Sequence, residues 1–309
     1  MNILITGAWS DAKKQIGQIE AMGHCTAFLQ NEADALPCDP AWVEGVICNG
    51  LFLHHPIETF PKLRFIQLTS AGLDRVPMDY VQSRGIEIHS ARGVYSAPMA
   101  EFAVCGVLQV YKQAAFFREN RNKHLWEKRR DLRELTGKTV VIVGCGSVGT
   151  ECARRFRAFG CRVIGVDLYP RRDASFDEIL PLTALDATLP AADVLVLTVP
   201  LTDETRGLIN APRLAAIKSD AVLVNISRGA VVDEAALTVH LQTHHDFAAV
   251  LDVFEQEPLP ETSPLWALPN VLLTPHNSFV GSENSARLLQ TILSSLPAAE
   301  SGQTVNRIL

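Results

Sequence analysis

Short apolar runs of four to six residues recur along this chain, each followed by turn residues and then by a segment of helical period. Runs of that length read as buried strands, and strands alternating with helices build open parallel sheets covered on both faces. The first part of the chain predicts strands at 2–6, 25–29, 45–48, 65–68 and 86–89, with helices at 11–22, 56–60 and 77–83. A long helical pattern then runs from Ser96 to Asn122, with Pro98 near its start, where a missing N–H does no harm. The charge-dense stretch from Arg118 to Arg133 reads as a solvated segment crossing between domains. A second alternation predicts six strands, at 139–143, 162–166, 194–199, 221–226, 248–253 and 271–274, the pattern of a doubly wound sheet. Residues 282–309 read as one amphipathic helix and a short extended end, which must pack on structure already present.

The length of 309 residues fits two domains. With 47% hydrophobic and 20% charged residues, the chain is an ordinary globular protein rather than a disordered or fibrous one. The net charge of −6 and the lack of a basic domain exclude a nucleic-acid partner. The apolar runs are too short to span a bilayer, so no membrane partner is expected. The N-terminus has no basic region and reads as a strand, so no signal peptide and a cytoplasmic location are expected. Seven cysteines without a CxxC suit free thiols, and no His or Cys spacing suits zinc, so no metal is expected. His244 and His245 read as a solvated surface pair.

Chemistry enters at Gly144-Cys145-Gly146-Ser147-Val148-Gly149, a GxGxxG between the strand 139–143 and a helix over 148–159. Gly144 permits the tight turn, Gly146 lets the backbone approach a pyrophosphate, and Gly149 lets helix and strand pack closely. The helix start then offers free N–H groups and a positive dipole end to the phosphates. The next strand leads to Asp167, at the distance where an acid binds the adenosine ribose and repels an added 2′-phosphate. This favours NAD over NADP, although Arg171 and Arg172 follow closely and can reach a 2′-phosphate.

Three later turns carry polar chemistry just past expected strand ends, where open parallel sheets bind ligands. Arg228 offers a planar fork that suits a carboxylate. His276 can give a proton to a carbonyl oxygen or take one from a hydroxyl. Glu257 can bond the other ring nitrogen of His276, fixing its tautomer and supporting the protonated ring. Together they describe hydride transfer between a cofactor and a 2-oxo acid: Arg228 holds the acid and His276 protonates the new oxygen.

At these residues the sequence resembles the D-isomer-specific 2-hydroxyacid dehydrogenase family. The likeness covers most of the chain and is strongest from about Ser96 to Asn277. Its motifs are the glycine turn with Asp167, Thr198-Val199-Pro200-Leu201-Thr202 with Thr205, 225–230 with Asp233-Glu234, 251–259 and 265–276. The resemblance implies two doubly wound α/β parallel-sheet domains, one Rossmann-type and NAD-binding (96–282). The other is flavodoxin-like and substrate-binding (1–95 plus 283–309), with an interdomain cleft closed by a hinge. It implies that Arg228 binds the substrate carboxylate and that Glu257 and His276 form a proton relay. It also implies that Asp252 bonds the nicotinamide carboxamide and that Val199, Pro200, Thr205 and Ile226 belong to the cofactor site. Ser70-Ala71-Gly72-Leu73-Asp74 is similar to the family's substrate loop, whose N–H groups meet the carboxylate. Val94-Tyr95-Ser96 and Glu101 resemble its crossover, and the long helix the one that builds its homodimer. Two departures stand out. Asn277-Ser278-Phe279 follows the histidine where many members place small or glycine-rich residues. The chain also stops at Leu309, without the extra regulatory domain of some phosphoglycerate dehydrogenases, so feedback control by serine is not expected.

The substrate wall is expected around Asn49-Gly50-Leu51-Phe52 and Ser70–Leu73, with Leu51 and Phe52 apolar and no Arg or Lys in either loop. Arg64 and Arg75 are near in sequence, and nothing in the sequence shows that they face the cleft. Phosphorylated acids therefore rank below glyoxylate, hydroxypyruvate or an apolar 2-oxo acid. The alternative is an NAD-sensing, corepressor-like binding protein on the same scaffold, which could keep all of these motifs; a third reading, a cofactor-binding pseudoenzyme, has Arg228, Glu257 and His276 against it.

Overall fold

The computed structural model describes residues 1–301 and 306–308. The chain divides into two compact units, Met1–Tyr95 with Gly281–Leu309, and Ser96–Val280.

The first unit is a five-stranded sheet of β1 (Asn2–Thr6), β2 (Cys25–Leu29), β3 (Gly45–Cys48), β4 (Phe65–Leu68) and β5 (Glu87–His89). All pairs are parallel, in the order β2-β1-β3-β4-β5. Successive side chains leave a strand on opposite faces. Leu4, Val46, Ile66 and Leu68 accordingly join one core, while Ile3, Ile5, Ile47 and Phe65 join the other. The second core is completed by Leu288, Leu289, Ile292 and Leu296 from the helix Asn284–Ser301. The expected extended end lies partly outside the described residues; the part described makes an antiparallel bridge from Arg307 to His89.

The second unit is a seven-stranded parallel sheet: β6 (Thr139–Val143), β7 (Arg162–Asp167), β8 (Glu178–Pro181), β9 (Val194–Leu197), β10 (Val222–Asn225), β11 (Ala248–Leu251) and β12 (Val271–Leu273). Its order is β12-β11-β10-β9-β6-β7-β8. The order reverses beside β6, the strand that enters the glycine turn, and such reversals are where doubly wound sheets bind ligands. Alternating residues again fill two cores, Val141, Leu195 and Leu223 on one face and Val140, Val194 and Val222 on the other.

Three expectations change. β8 is a seventh strand that the sequence reading omitted; it sits at the sheet edge, half exposed, and ends at Pro181, so it lacks the run of buried apolar residues. The long helix is two helices, Ser96–Tyr111 and Ala114–Asn122, separated at Gln113, whose φ is +49°. The Arg133 N–H donates to the Tyr111 carbonyl, an acceptor that a continuing helix would have used. The charged stretch 118–133 falls within the second unit and does not join the two. As expected, His244 and His245 are both exposed; the His244 ring in addition stacks on His240, one helical turn earlier, at 4.1 Å between centroids. Burial first, and the His244 charge second, hold the His240 pKa below its ordinary value.

No helix among the described residues is long and apolar enough to cross a membrane. Among the same residues, no group of three or more His, Cys, Asp or Glu side chains is placed to hold a metal ion.

Candidate active site

The glycine turn follows β6 directly. Gly144 has φ +97°, a conformation that L side chains rarely adopt, and a Cβ there would lie 2.8 Å from Thr198 C and Val199 N. A Cβ on Gly149 would lie 2.0 Å from the Gly144 carbonyl oxygen, so helix and turn touch backbone to backbone. The Thr198 hydroxyl donates to that same oxygen at 2.6 Å, which pins the turn to the end of β9. Gly146 is different: a Cβ there meets no heavy atom within 4 Å. The turn is thus tight on its inner side and open on its outer side. The helix Ser147–Ala158 starts there, and its first-turn N–H groups have no intrahelical acceptor. A glycine cradle open at one point, against a helix start where Ser147 and Val148 are only half buried, fits a pyrophosphate.

Asp167 closes β7 and reaches back to this turn. Its Oδ2 accepts the Cys145 N–H at 2.6 Å, and its Oδ1 accepts the Tyr169 N–H at 2.8 Å. The Arg171 guanidinium donates to the carbonyl of the same Cys145 at 2.7 Å, so acid and base grip the same residue of the glycine turn. Burial pushes the Cys145 thiol up to about 12, with the Asp167 charge adding to it, and leaves that thiol inert. Past β9, Val199 is half buried and Pro200 exposed. The buried Thr205 staples this segment: its hydroxyl donates to the Pro200 carbonyl at 2.7 Å and accepts the Thr202 N–H at 2.8 Å.

Arg228, Glu257 and His276 lie past the ends of β10, β11 and β12, three adjacent strands. Their turns interlock. Asn225, buried, brackets the arginine: its Oδ1 accepts the Ser227 N–H and hydroxyl, and its Nδ2 donates to the Arg228 carbonyl at 3.0 Å. A Cβ on Gly229 would lie 1.8 Å from the Phe254 carbonyl carbon, so the arginine turn rests on the next turn with no room for a side chain. In that turn the Phe254 N–H donates to Glu257 Oε1 at 3.0 Å. Glu257 Oε2 pairs with His276 Nδ1 at 2.8 Å, which leaves Nε2 for another partner.

His276 has φ +50°, in the left-handed region. Asp252, fully buried, holds it there. Its Oδ1 accepts the Thr274 hydroxyl at 2.6 Å and the Asn277 N–H at 2.7 Å, and its Oδ2 accepts the Ser278 N–H at 2.9 Å. The Asp252 carbonyl accepts the His276 N–H at 2.8 Å. Asp252 thus clamps the histidine turn with both carboxylate oxygens. The sequence reading attached no role to Thr198, Asn225 or Thr274; the one signal was a small polar residue at or just past a strand end. Ile226 is buried beside the arginine turn and belongs to the core.

In the first unit, the turn after β4 is held by the Ala91 N–H donating to the Ser70 carbonyl at 2.9 Å and the Ser70 hydroxyl to the Gly72 carbonyl at 3.1 Å. Among the described residues, no acceptor meets the N–H groups of Ala71 and Gly72. Consecutive free N–H groups in a turn suit an anion. Leu51, expected on the substrate wall, is wholly buried in the core with Leu68; loop position alone does not reveal which way an apolar side chain packs. On that turn Phe52 is half buried and Leu53 exposed.

Residues 104–278 match the family described as D-isomer specific 2-hydroxyacid dehydrogenase, NAD binding domain. The chain is 34% identical over 251 residues to a glyoxylate reductase of Korarchaeum cryptofilum, covering 80% of this chain and 76% of that one. It is 36% identical over 250 residues to a D-3-phosphoglycerate dehydrogenase of Mycobacterium leprae, covering 79% of this chain but 46% of that longer protein. Among solved structures, a D-isomer specific 2-hydroxyacid dehydrogenase family protein from Aeromonas salmonicida superposes with a TM-score of 0.88 at 30% identity, covering 100% of this chain and 98% of that one. A glycine cradle, an acid at the next strand end and a linked arginine, glutamate and histidine thus stand on a fold and a sequence that agree, and the chain belongs to the D-isomer specific 2-hydroxyacid dehydrogenase family.

Proposed function

We propose that this protein interconverts a small 2-oxo acid and its D-2-hydroxy acid with a nicotinamide dinucleotide, NAD before NADP. The observation that carries the reading is the 2.8 Å contact between His276 Nδ1 and Glu257 Oε2, on turns locked to that of Arg228. When bound, the nicotinamide ring supplies or accepts the hydride. The chain's own groups do the rest. The Arg228 fork holds the substrate carboxylate. His276 Nε2 gives a proton to the carbonyl oxygen as it gains charge, and takes it back from the hydroxyl in the reverse direction. Glu257 keeps the Nδ1 proton in place, so Nε2 is the nitrogen that exchanges protons with the substrate.

The loops 49–52 and 70–73 contain no Arg or Lys. That favours glyoxylate, hydroxypyruvate or an apolar 2-oxo acid over a phosphorylated one. The test is a steady-state absorbance assay with NADH and NADPH in turn against glyoxylate, hydroxypyruvate, pyruvate, phenylpyruvate and branched analogues. Turnover with a clear ranking is expected. Silence across the panel, with NADH bound, would sink the reading.

Asp167 supports the preference for NAD, because a carboxylate at that strand end repels a 2′-phosphate. Asp167→Ala is expected to move the ratio of NADH to NADPH efficiency toward NADPH by roughly tenfold or more, the worth of one hydrogen bond to a charged group. Paired titrations of both cofactors measure it, and an unchanged ratio would place the ribose contact elsewhere.

A further inference from the structure

We propose that Glu32 is a positioning residue for the substrate, which sets the affinity and ranking of 2-oxo acids by fixing the turn after β3. The proposal rests on the functional reading above. Glu32 lies three residues past β2, and its carboxylate gathers donors from the ends of two neighbouring strands. Oε1 accepts the Thr6 hydroxyl at 2.8 Å and the Asn49 N–H at 2.7 Å, while Oε2 accepts the Gly50 N–H at 2.7 Å. Hydrogen bonds to an ionised acceptor are about twice as strong as neutral ones.

These bonds do not hold the strands together. The backbone ladders already do that, through pairs that end at Thr6 with Leu29 and at Ile5 with Ile47. The carboxylate acts beyond the last paired residues, on the segment that leads into the short 3-10 turn Leu51–Leu53. It also divides the donors at this edge of the sheet. Glu32 consumes the N–H groups of Asn49 and Gly50, whereas those of Ala71 and Gly72, after the adjacent β4, meet no acceptor among the described residues. The donors left free at these strand ends are therefore those at 71–72, and not those at 49–50. The turn at 49–53 contributes the half-buried Phe52 and the exposed Leu53, held at a fixed height by Glu32. A carboxylate suits this place because an obligate backbone donor faces each of its oxygens, Asn49 N–H on Oε1 and Gly50 N–H on Oε2; a carboxamide would set its own N–H groups against one of them.

The test compares Glu32→Ala and Glu32→Gln in the full-length protein, with hydroxypyruvate and phenylpyruvate as substrates. Glu32→Ala is expected to raise KM roughly tenfold and to change the ratio of kcat/KM between the two acids, by loss of substrate positioning. Both kcat and the NADH dissociation constant should stay within about twofold, since a contact made equally in ground and transition states moves KM alone. Glu32→Gln keeps one acceptor oxygen and should fall between; it serves if the alanine variant does not fold. A wild-type KM and ranking in a folded variant would overturn the proposal. So would a joint fall of kcat, NADH affinity and melting temperature in both variants, which marks a purely structural staple. If the wild-type protein turns over neither acid nor any other of the panel, the functional reading fails first and the proposal with it.

Discussion

His276→Asn is expected to lower kcat by about 10²–10⁴-fold while NADH affinity stays at the wild-type value, the usual range for removing a general acid. Asparagine is the informative substitution because of the backbone. At φ +50° most side chains strain the chain by about 1–2 kcal/mol, whereas histidine and asparagine occupy this region more readily. The four bonds from Asp252 to the turn involve Thr274, the His276 N–H, Asn277 and Ser278, none of which depends on the imidazole. The variant therefore keeps the turn and loses the proton donor. His276→Ala should lose as much turnover and also some stability. Steady-state kinetics, with a fluorescence titration of NADH, decide the matter. Retained turnover in His276→Asn would remove the proposed role.

Arg228→Ala is expected to raise KM for the 2-oxo acid and to lower kcat/KM by about 10²-fold or more, as two hydrogen bonds to a charged group are lost together. Arg228→Lys should restore only part of the loss, because an ammonium keeps the charge without the fork. Folding should survive both changes. Asn225 holds the backbone around Arg228 through main-chain and Ser227 groups, and the fit of Gly229 against Phe254 does not use the guanidinium. Substrate titrations at saturating NADH measure the effect. An unchanged KM would mean that the carboxylate binds elsewhere.

Much of this architecture is legible in the sequence because buried parallel strands are continuous apolar runs. β6, β9 and β10 show only buried side chains except at Thr139, and their runs stand out. β8 does not, since an edge strand half open to solvent carries charge and proline instead. The break between the two helices after Ser96 was equally hidden, because Lys112 and Gln113 suit a helix and the break answers to Arg133, twenty or more residues later. The glycine turn is a local code and could be read as one. The grip of Asp252 on Thr274, Asn277 and Ser278 spans more than twenty residues and needed coordinates. Glu32 gave no signal at all, for its partners Thr6 and Asn49 come from either side in the chain.

The way the first unit is completed bears on how the protein is made. Its core takes Leu288, Leu289, Ile292 and Leu296 from the helix Asn284–Ser301, alongside Ile3, Ile5, Trp9 and Phe65 from the opening residues. The second unit is one unbroken stretch, Ser96–Val280. A ribosome emitting this chain releases every residue of the later unit before it has finished the earlier one. The usual order, in which the N-terminal domain folds first, is thereby reversed. The opening 95 residues wait with an unfilled apolar face until the final helix leaves the exit tunnel, and that interval is when the nascent chain most needs a chaperone.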